Sequence, residues 1–174
     1  MERGKSGVAE SLPKERAAWS ALERSLEVVA LIGLVAGAAI AAEAWPNLPK
    51  RIPTQFDSRG IPTEWGGKGL LLLLPAVSVF VYGLLSLARR LPLRFYNIPW
   101  RVTPKNAPRQ YELARSLLAT LKTEIIWLCA FLEWEMTRSA ASAAPGFPVV
   151  LFPVALGLIL ATVGIYIRKS YLAR

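Results

Sequence analysis

Lys122 and Glu124 are ionisable side chains set inside an otherwise apolar stretch, and they are the first places to look for chemistry. A charge placed in hydrocarbon is costly. Where one persists it pairs with a counter-charge, or it serves ligand binding or proton movement. The two are two positions apart, so on a helix they do not face each other. Lys122 lies about two turns from one end of its stretch. It either snorkels to the head groups or meets Glu27 on an earlier apolar segment. Glu124 calls for a cation from the basic residues that precede its stretch. Glu43, Glu133 and Glu135 fall near the opposite ends of their segments, within reach of Arg51, Lys68 or Arg138.

The remaining inventory is short. The chain has no histidine and a single cysteine, Cys129. Ser/His and Cys/His nucleophiles are thereby excluded, as are an intrachain disulfide and a thiolate metal cluster. Cys129 reads as a small apolar packing residue. Neither glycine-rich phosphate fingerprint is present. Asp57 and Glu64 read as members of a solvated turn. The expectation is a non-enzymatic protein with no catalytic residue, no metal and no cofactor.

The elements that carry these residues are apolar. Hydrophobic types make up 53% of the 174 residues, and the mean hydropathy is +0.36. Residues 69–88 hold no charge, and neither do residues 140–167, which are densest over 149–167. About twenty apolar residues cross a hydrocarbon core of about 30 Å. Residues 26–44 form a weaker span with Glu27 and Glu43 near its ends and Trp19 and Trp45 as interfacial flanks. Residues 117–134 form another, holding Lys122 and Glu124.

The predicted fold is an all-α integral membrane protein, a four-transmembrane-helix bundle with a short extracytoplasmic hairpin-like loop between helices 1 and 2. Residues 1–12 read as a flexible cytoplasmic N-terminus, and 13–45 as helix 1 with its span. Residues 46–68 are the extracytoplasmic loop, and 69–89 are span 2. A basic cytoplasmic loop follows at 90–113, then span 3 at 114–136. A short external loop occupies 137–147, span 4 occupies 148–168, and 169–174 is a cytoplasmic tail. Ser11 suits a helix cap and Pro13 a first turn, so one helix is expected to run through Trp19 into the first span. Ala42-Glu43-Ala44 imitates a signal cleavage site. The long leader with Glu2, Glu10, Glu15 and Glu23 instead favours retention.

Small residues recur at helical spacing. Gly33 and Gly37 mark span 1, and Gly157, Ala161 and Gly164 mark span 4. Such stripes let helix backbones approach closely. Packing within the bundle is the expected use, with self-association through Gly33 and Gly37 as the alternative.

The net charge of +9 follows from topology. Arg3, Lys5, Lys14, Arg16 and Arg24 precede span 1. Arg89, Arg90, Arg94, Arg101, Lys105, Arg109 and Arg115 lie between spans 2 and 3, and Arg168, Lys169 and Arg174 follow span 4. The other side holds only Lys50, Arg51, Arg59, Lys68 and Arg138. Basic residues stay in the cytoplasm, so both termini are expected there. The partner implied is the lipid bilayer, not nucleic acid. The middle loop is suited to anionic head groups.

Between the first two spans the motif Ile52-Pro53-Thr54-Gln55-Phe56 returns as Ile61-Pro62-Thr63-Glu64-Trp65. A residue before proline avoids the helical region, so both arms read as extended. Asp57-Ser58-Arg59-Gly60 is a turn signature. Phe56 and Trp65 are expected at matching places in the two arms of a hairpin. Gly66, Gly67 and Lys68 return the chain to the membrane.

"WPNLPKRIPTQFDSRGIPTEWGGKGLLLLLP" resembles a bacterial membrane domain, the sixteen-forty-eight domain of unknown function. That domain occurs in the N-terminal part of SdpI-type toxin-immunity proteins and in small stand-alone membrane proteins. The pattern falls on Leu48-Pro49, Ile52-Pro53, Phe56, Gly60, Trp65-Gly66 and Lys68. A second piece is Asn97-Ile98-Pro99 with Asn106-Ala107-x-Arg109-Gln110-Tyr111. The resemblance spans roughly residues 28–135 and implies the inner membrane of a bacterium. The family usually has histidine before the aromatic residue, where this chain has Gln55. An amide neither gains charge near neutral pH nor ligates zinc well, so a hydrogen-bonding or structural role is what survives here. The chain ends without the longer C-terminal membrane region of the immunity proteins. The resemblance implies binding or sensing through the extracytoplasmic loop. The alternatives are an accessory subunit of a larger membrane complex, with a membrane protein partner or a second copy, and a small transporter dependent on Glu124.

Overall fold

A computed structural model describes residues 19–91, 95, 96, 98, 100–141 and 146–174. Helix α1 spans Ala21–Ala44. It starts where Ser20 and Glu23 form a capping box: Glu23 N–H donates to Ser20 Oγ at 3.1 Å, and Ser20 N–H donates to Glu23 Oε2 at 2.9 Å. Two amide donors of the open helix end are thereby satisfied. Ser20 itself is extended (φ −64°, ψ 159°), so the helix does not run unbroken through Trp19 as expected. Ser11 and Pro13 lie outside the described residues.

Strands β1 (Arg51–Phe56) and β2 (Pro62–Gly67) follow, paired antiparallel. A 3-10 turn over Lys68–Leu72 leads into α2 (Leu73–Ala88). Helix α3 runs over Ala107–Ala141 and α4 over Leu151–Leu172. Pro75 and Pro153 sit at the third positions of α2 and α4, where a missing N–H costs least.

The chain goes up, down, up, down. One end of the bundle gathers the hairpin, where Ala41, Leu48, Ile52 and Leu71 form a core cluster against Met136 and Ala140 of α3. The other end gathers the start of α3 and the end of α4, tied by Gln110. Its amide donates to Ser170 O at 2.9 Å and Ala173 O at 3.2 Å, and its carbonyl accepts from Ser170 Oγ at 2.6 Å.

Three helical segments are long and apolar enough to cross a membrane: Ala21–Ala44, Lys68–Ala88 and Leu151–Leu172. Helix α3 is the further helix and differs in kind. It packs on all three others and carries much of the buried surface. At 1.5 Å per residue its 35 residues reach about 52 Å, well beyond one hydrocarbon thickness. It begins at Ala107, inside the stretch expected to be loop. Outward faces of α2 and α4 are apolar and open, with Phe80 at 67% and Val154 at 62% exposure.

Candidate functional site

Lys122 has no exposed surface at all. It does not snorkel; of the two fates open to it, the structure selects Glu27. Its Nζ donates to Glu27 Oε2 at 2.7 Å and to Ser86 Oγ at 3.1 Å, and it lies 4.5 Å from the centre of the Tyr82 ring. Glu27 is a hub. It also accepts from Tyr82 OH at 2.6 Å and from Arg89 Nη1 at 2.8 Å. One turn earlier Glu23, 1% exposed, accepts from Arg115 Nη2 at 2.9 Å and sits 3.7 Å from Arg89 Nη2. Arg89 lies 4.7 Å from the centre of the Trp19 ring. Two carboxylates on α1 thus hold three cations, Arg89, Arg115 and Lys122, just past α2 and along α3. A buried ion pair is favourable only when its remaining hydrogen bonds are filled. Tyr82 and Ser86 add bonds to the Glu27–Lys122 pair, whereas Glu23 Oε1 and Arg89 Nε and Nη2 are buried without a hydrogen-bond partner. Glu23, Arg89 and Arg115 gave no warning in the sequence. Each was one more charge near a helix end.

Glu124 meets no cation among the described residues. Its Oε1 accepts from Thr162 on α4 at 2.5 Å, and its Oε2 is buried without a hydrogen-bond partner. Glu133 is 1% exposed and faces Gly37 rather than Arg51, Lys68 or Arg138. Glu135 does pair with Arg138, at 2.6 Å. Glu43 is exposed. Lys68 donates to Trp45 O at 3.3 Å and lies over the Trp45 ring.

The small residues divide. A Cβ on Gly33 would come within 2.9 Å of Ile126, and one on Gly37 within 3.1 Å of the Glu133 carboxylate. Trp127 and Thr123 use this close approach, donating to the α1 carbonyls of Val29 at 3.0 Å and Leu26 at 3.1 Å. Gly33 and Gly37 are therefore filled by α3 and not free for a second copy. Gly157 and Ala161 are exposed, and nothing lies within 4 Å of a Cβ on Gly157 or Gly164. Their expected packing inside the bundle is corrected: α4 meets α3 through a different face, carrying Thr162 and Ser170.

The hairpin is built from below. Ile52 is fully buried, and Pro53 is among the side chains with essentially no exposure. Gly60 N–H donates to Asp57 O at 2.9 Å across the turn, with Gly60 at φ +80°, a conformation that favours glycine. Asp57 Oδ1 accepts from Ile61 N–H at 2.9 Å and Arg59 N–H at 2.8 Å. The Ile61 amide first, then the Arg59 contacts, hold the Asp57 carboxyl below the usual aspartate range. Gln55 donates to Glu64 at 2.7 Å, a hydrogen-bonding role across the ladder.

Phe56 and Trp65 do not occupy matching places. The register pairs Phe56 with Pro62 and Pro53 with Trp65, because antiparallel pairing sends a translational repeat to opposite ends of the ladder. Phe56 instead packs on Phe147, ring centres 4.9 Å apart, and Phe147 on Phe152 at 5.6 Å. The Phe147 N–H donates to Gly60 O at 3.0 Å. Phe147 was unread in the sequence; its only signal was an aromatic ring just before an apolar helix. Gly66 lies against the side chains of Leu70 and Thr54, which would have to shift to admit a Cβ there. Trp65 and Ile61 stay 47% and 50% exposed.

Residues 31–79 match the family model described as Domain of unknown function (DUF1648). This segment carries that domain. It takes in most of α1, the whole hairpin and the first part of α2, a shorter stretch than the resemblance seen in the sequence. The charged residues of the Glu27 cluster all lie outside it. No curated protein and no solved structure matches the chain.

Proposed function

We propose that this chain is a non-enzymatic, multi-pass inner-membrane protein of a bacterium, and that it binds an extended peptide segment through its hairpin on the extracytoplasmic side. In this reading α3 is a fourth membrane span. It runs beside the three apolar helices from one end of the bundle to the other, and their lipid-facing surfaces shield its charges. Both termini are cytoplasmic, in keeping with the distribution of Lys and Arg.

One observation carries the binding role. The hairpin is clamped on one side and open on the other. β1 rests on α3, whereas Thr63, Glu64 and Trp65 of β2 are exposed. An open strand edge offers main-chain hydrogen bonds to an added strand, and Trp65 offers a side-chain anchor. A photo-crosslinking amino acid at position 65, in cells at native expression, tests this. Capture of a discrete polypeptide, lost on Ile61→Asp, is the expected result. Crosslinks to lipid alone would exclude the binding role.

A second reading, an accessory subunit of a larger membrane assembly, draws on the open small-residue stripe of α4. Gly157→Leu then releases a co-purifying membrane partner in gentle detergent while the bundle stays folded. Gly33→Leu is no test of partner binding, because it strikes α3.

A further inference from the structure

At the end of the bundle away from the hairpin, the loop before α3, the first turn of α3 and the end of α4 surround an open cavity of about 840 Å³. Four cations line it: Arg101, Lys105, Arg109 and Arg174. No Asp or Glu side chain does. Arg109 pairs with Glu112 at 2.7 Å, a half-exposed contact of small worth. Among the described residues Arg101, Lys105 and Arg174 have no acidic partner.

The cavity is preformed. Asn106 accepts from Thr103 N–H at 2.7 Å and donates to Arg101 O at 3.2 Å, fixing the loop. Gln110 fixes the end of α4 from beneath. The Tyr171 ring takes Trp100 edge-on at 5.2 Å and Arg174 at 4.0 Å. Three of the cavity's cations, Arg101, Lys105 and Arg174, are held close to one another and to Arg109 with no Asp or Glu partner among the described residues. Like charges so placed repel one another, and an anion relieves that repulsion. Arginine forks match phosphate oxygens in a bidentate manner, which makes phosphate the favoured anion.

The surroundings indicate where the phosphate comes from. Leu172, beside the cavity, is 72% exposed, and Ile165 and Ile167 further along α4 are 56% and 45% exposed. Trp100, in the lining, and Tyr171, against Arg174, put two aromatic rings beside the cations, and such rings are enriched at a membrane boundary. We propose that the cavity binds a phosphate-bearing anion, supplied as the headgroup of an anionic phospholipid whose acyl chains lie along the exposed end of α4. The lipid source rests on the membrane reading above; the phosphate chemistry does not.

The test is a titration of delipidated full-length protein in detergent with phosphatidylglycerol, phosphatidylcholine and inorganic phosphate, read by native mass spectrometry. The variants are Arg101→Gln/Arg174→Gln and Lys105→Gln/Arg174→Gln, all at exposed positions. Lys50→Gln/Arg51→Gln at the hairpin end removes the same charge as a control. The expected result is retention of phosphatidylglycerol by the native chain and the control, with each cavity variant weaker by about tenfold or more, the loss two cations at a membrane surface imply. Equal retention by cavity variants and control, or equal binding of phosphatidylcholine, would overturn the proposal. Inorganic phosphate binding as tightly as phosphatidylglycerol, and lost in the same variants, upholds the phosphate site and overturns the lipid source.

Discussion

Glu27 is the residue on which the interior depends most. With both carboxylates present, three cations share two negative charges. Without Lys122 the cluster still balances, Glu23 and Glu27 against Arg89 and Arg115. Without the Glu27 charge, three cations face one carboxylate. Removing one partner of a buried pair costs about 3–5 kcal/mol because it leaves a buried charge uncompensated. Removing Lys122 leaves Glu27 still paired with Arg89, so no carboxylate is stranded. Glu27→Gln is therefore expected to lower thermal stability in detergent by about that amount, and Lys122→Met by clearly less. Equal losses would mean that the cluster is not organised around Glu27. The Lys122 to Glu27 contact was one of two fates open from sequence, because each charge interrupts an apolar run. The contacts to Arg89 and Arg115 were not legible. Pairing across 62 to 92 positions leaves no local pattern.

At the scale of the element, the hairpin is decided by its turn and by what lies beneath. Gly60 combines a positive φ with a carbonyl of Phe147 where a Cβ would stand. Gly60→Ala must strain the turn and push the hairpin off Phe147. Left-handed backbone alone costs about 1–2 kcal/mol outside glycine, so amide hydrogen exchange over residues 56–61 should rise at least about fivefold with the helices unchanged. Asp57 adds a pH dependence. A carboxyl held below its ordinary value contributes stability that is complete above the unfolded-state value and is lost as pH falls through the folded one. The turn is therefore expected to keep its exchange protection at neutral and mildly acidic pH and to loosen below about pH 4. Asp57→Asn should flatten that profile. The turn itself was readable from Asp57 to Gly60, since few residue types serve those positions. Phe147 was not, since its role exists only once α4 has returned to the hairpin.

For the whole molecule, three helices were legible because hydrocarbon demands an unbroken apolar run. Helix α3 was harder for the converse reason. Wrapped by the others, it is free to carry Arg115, Lys122, Glu124 and Glu133, and its hydropathy falls accordingly. The small-residue stripe of α4 misled because spacing alone does not say which way a helix face points. The proposed topology has α3 crossing the membrane, with the hairpin and Phe147 outside and the basic cavity inside. Single cysteines at Arg59, Lys105 and Lys169, in a Cys129→Ser background, measure this directly with a membrane-impermeant maleimide on intact cells. The account predicts labelling of Arg59→Cys from outside, and of Lys105→Cys and Lys169→Cys only after the membrane is opened. Labelling of Lys105→Cys and Arg59→Cys from the same side would contradict it.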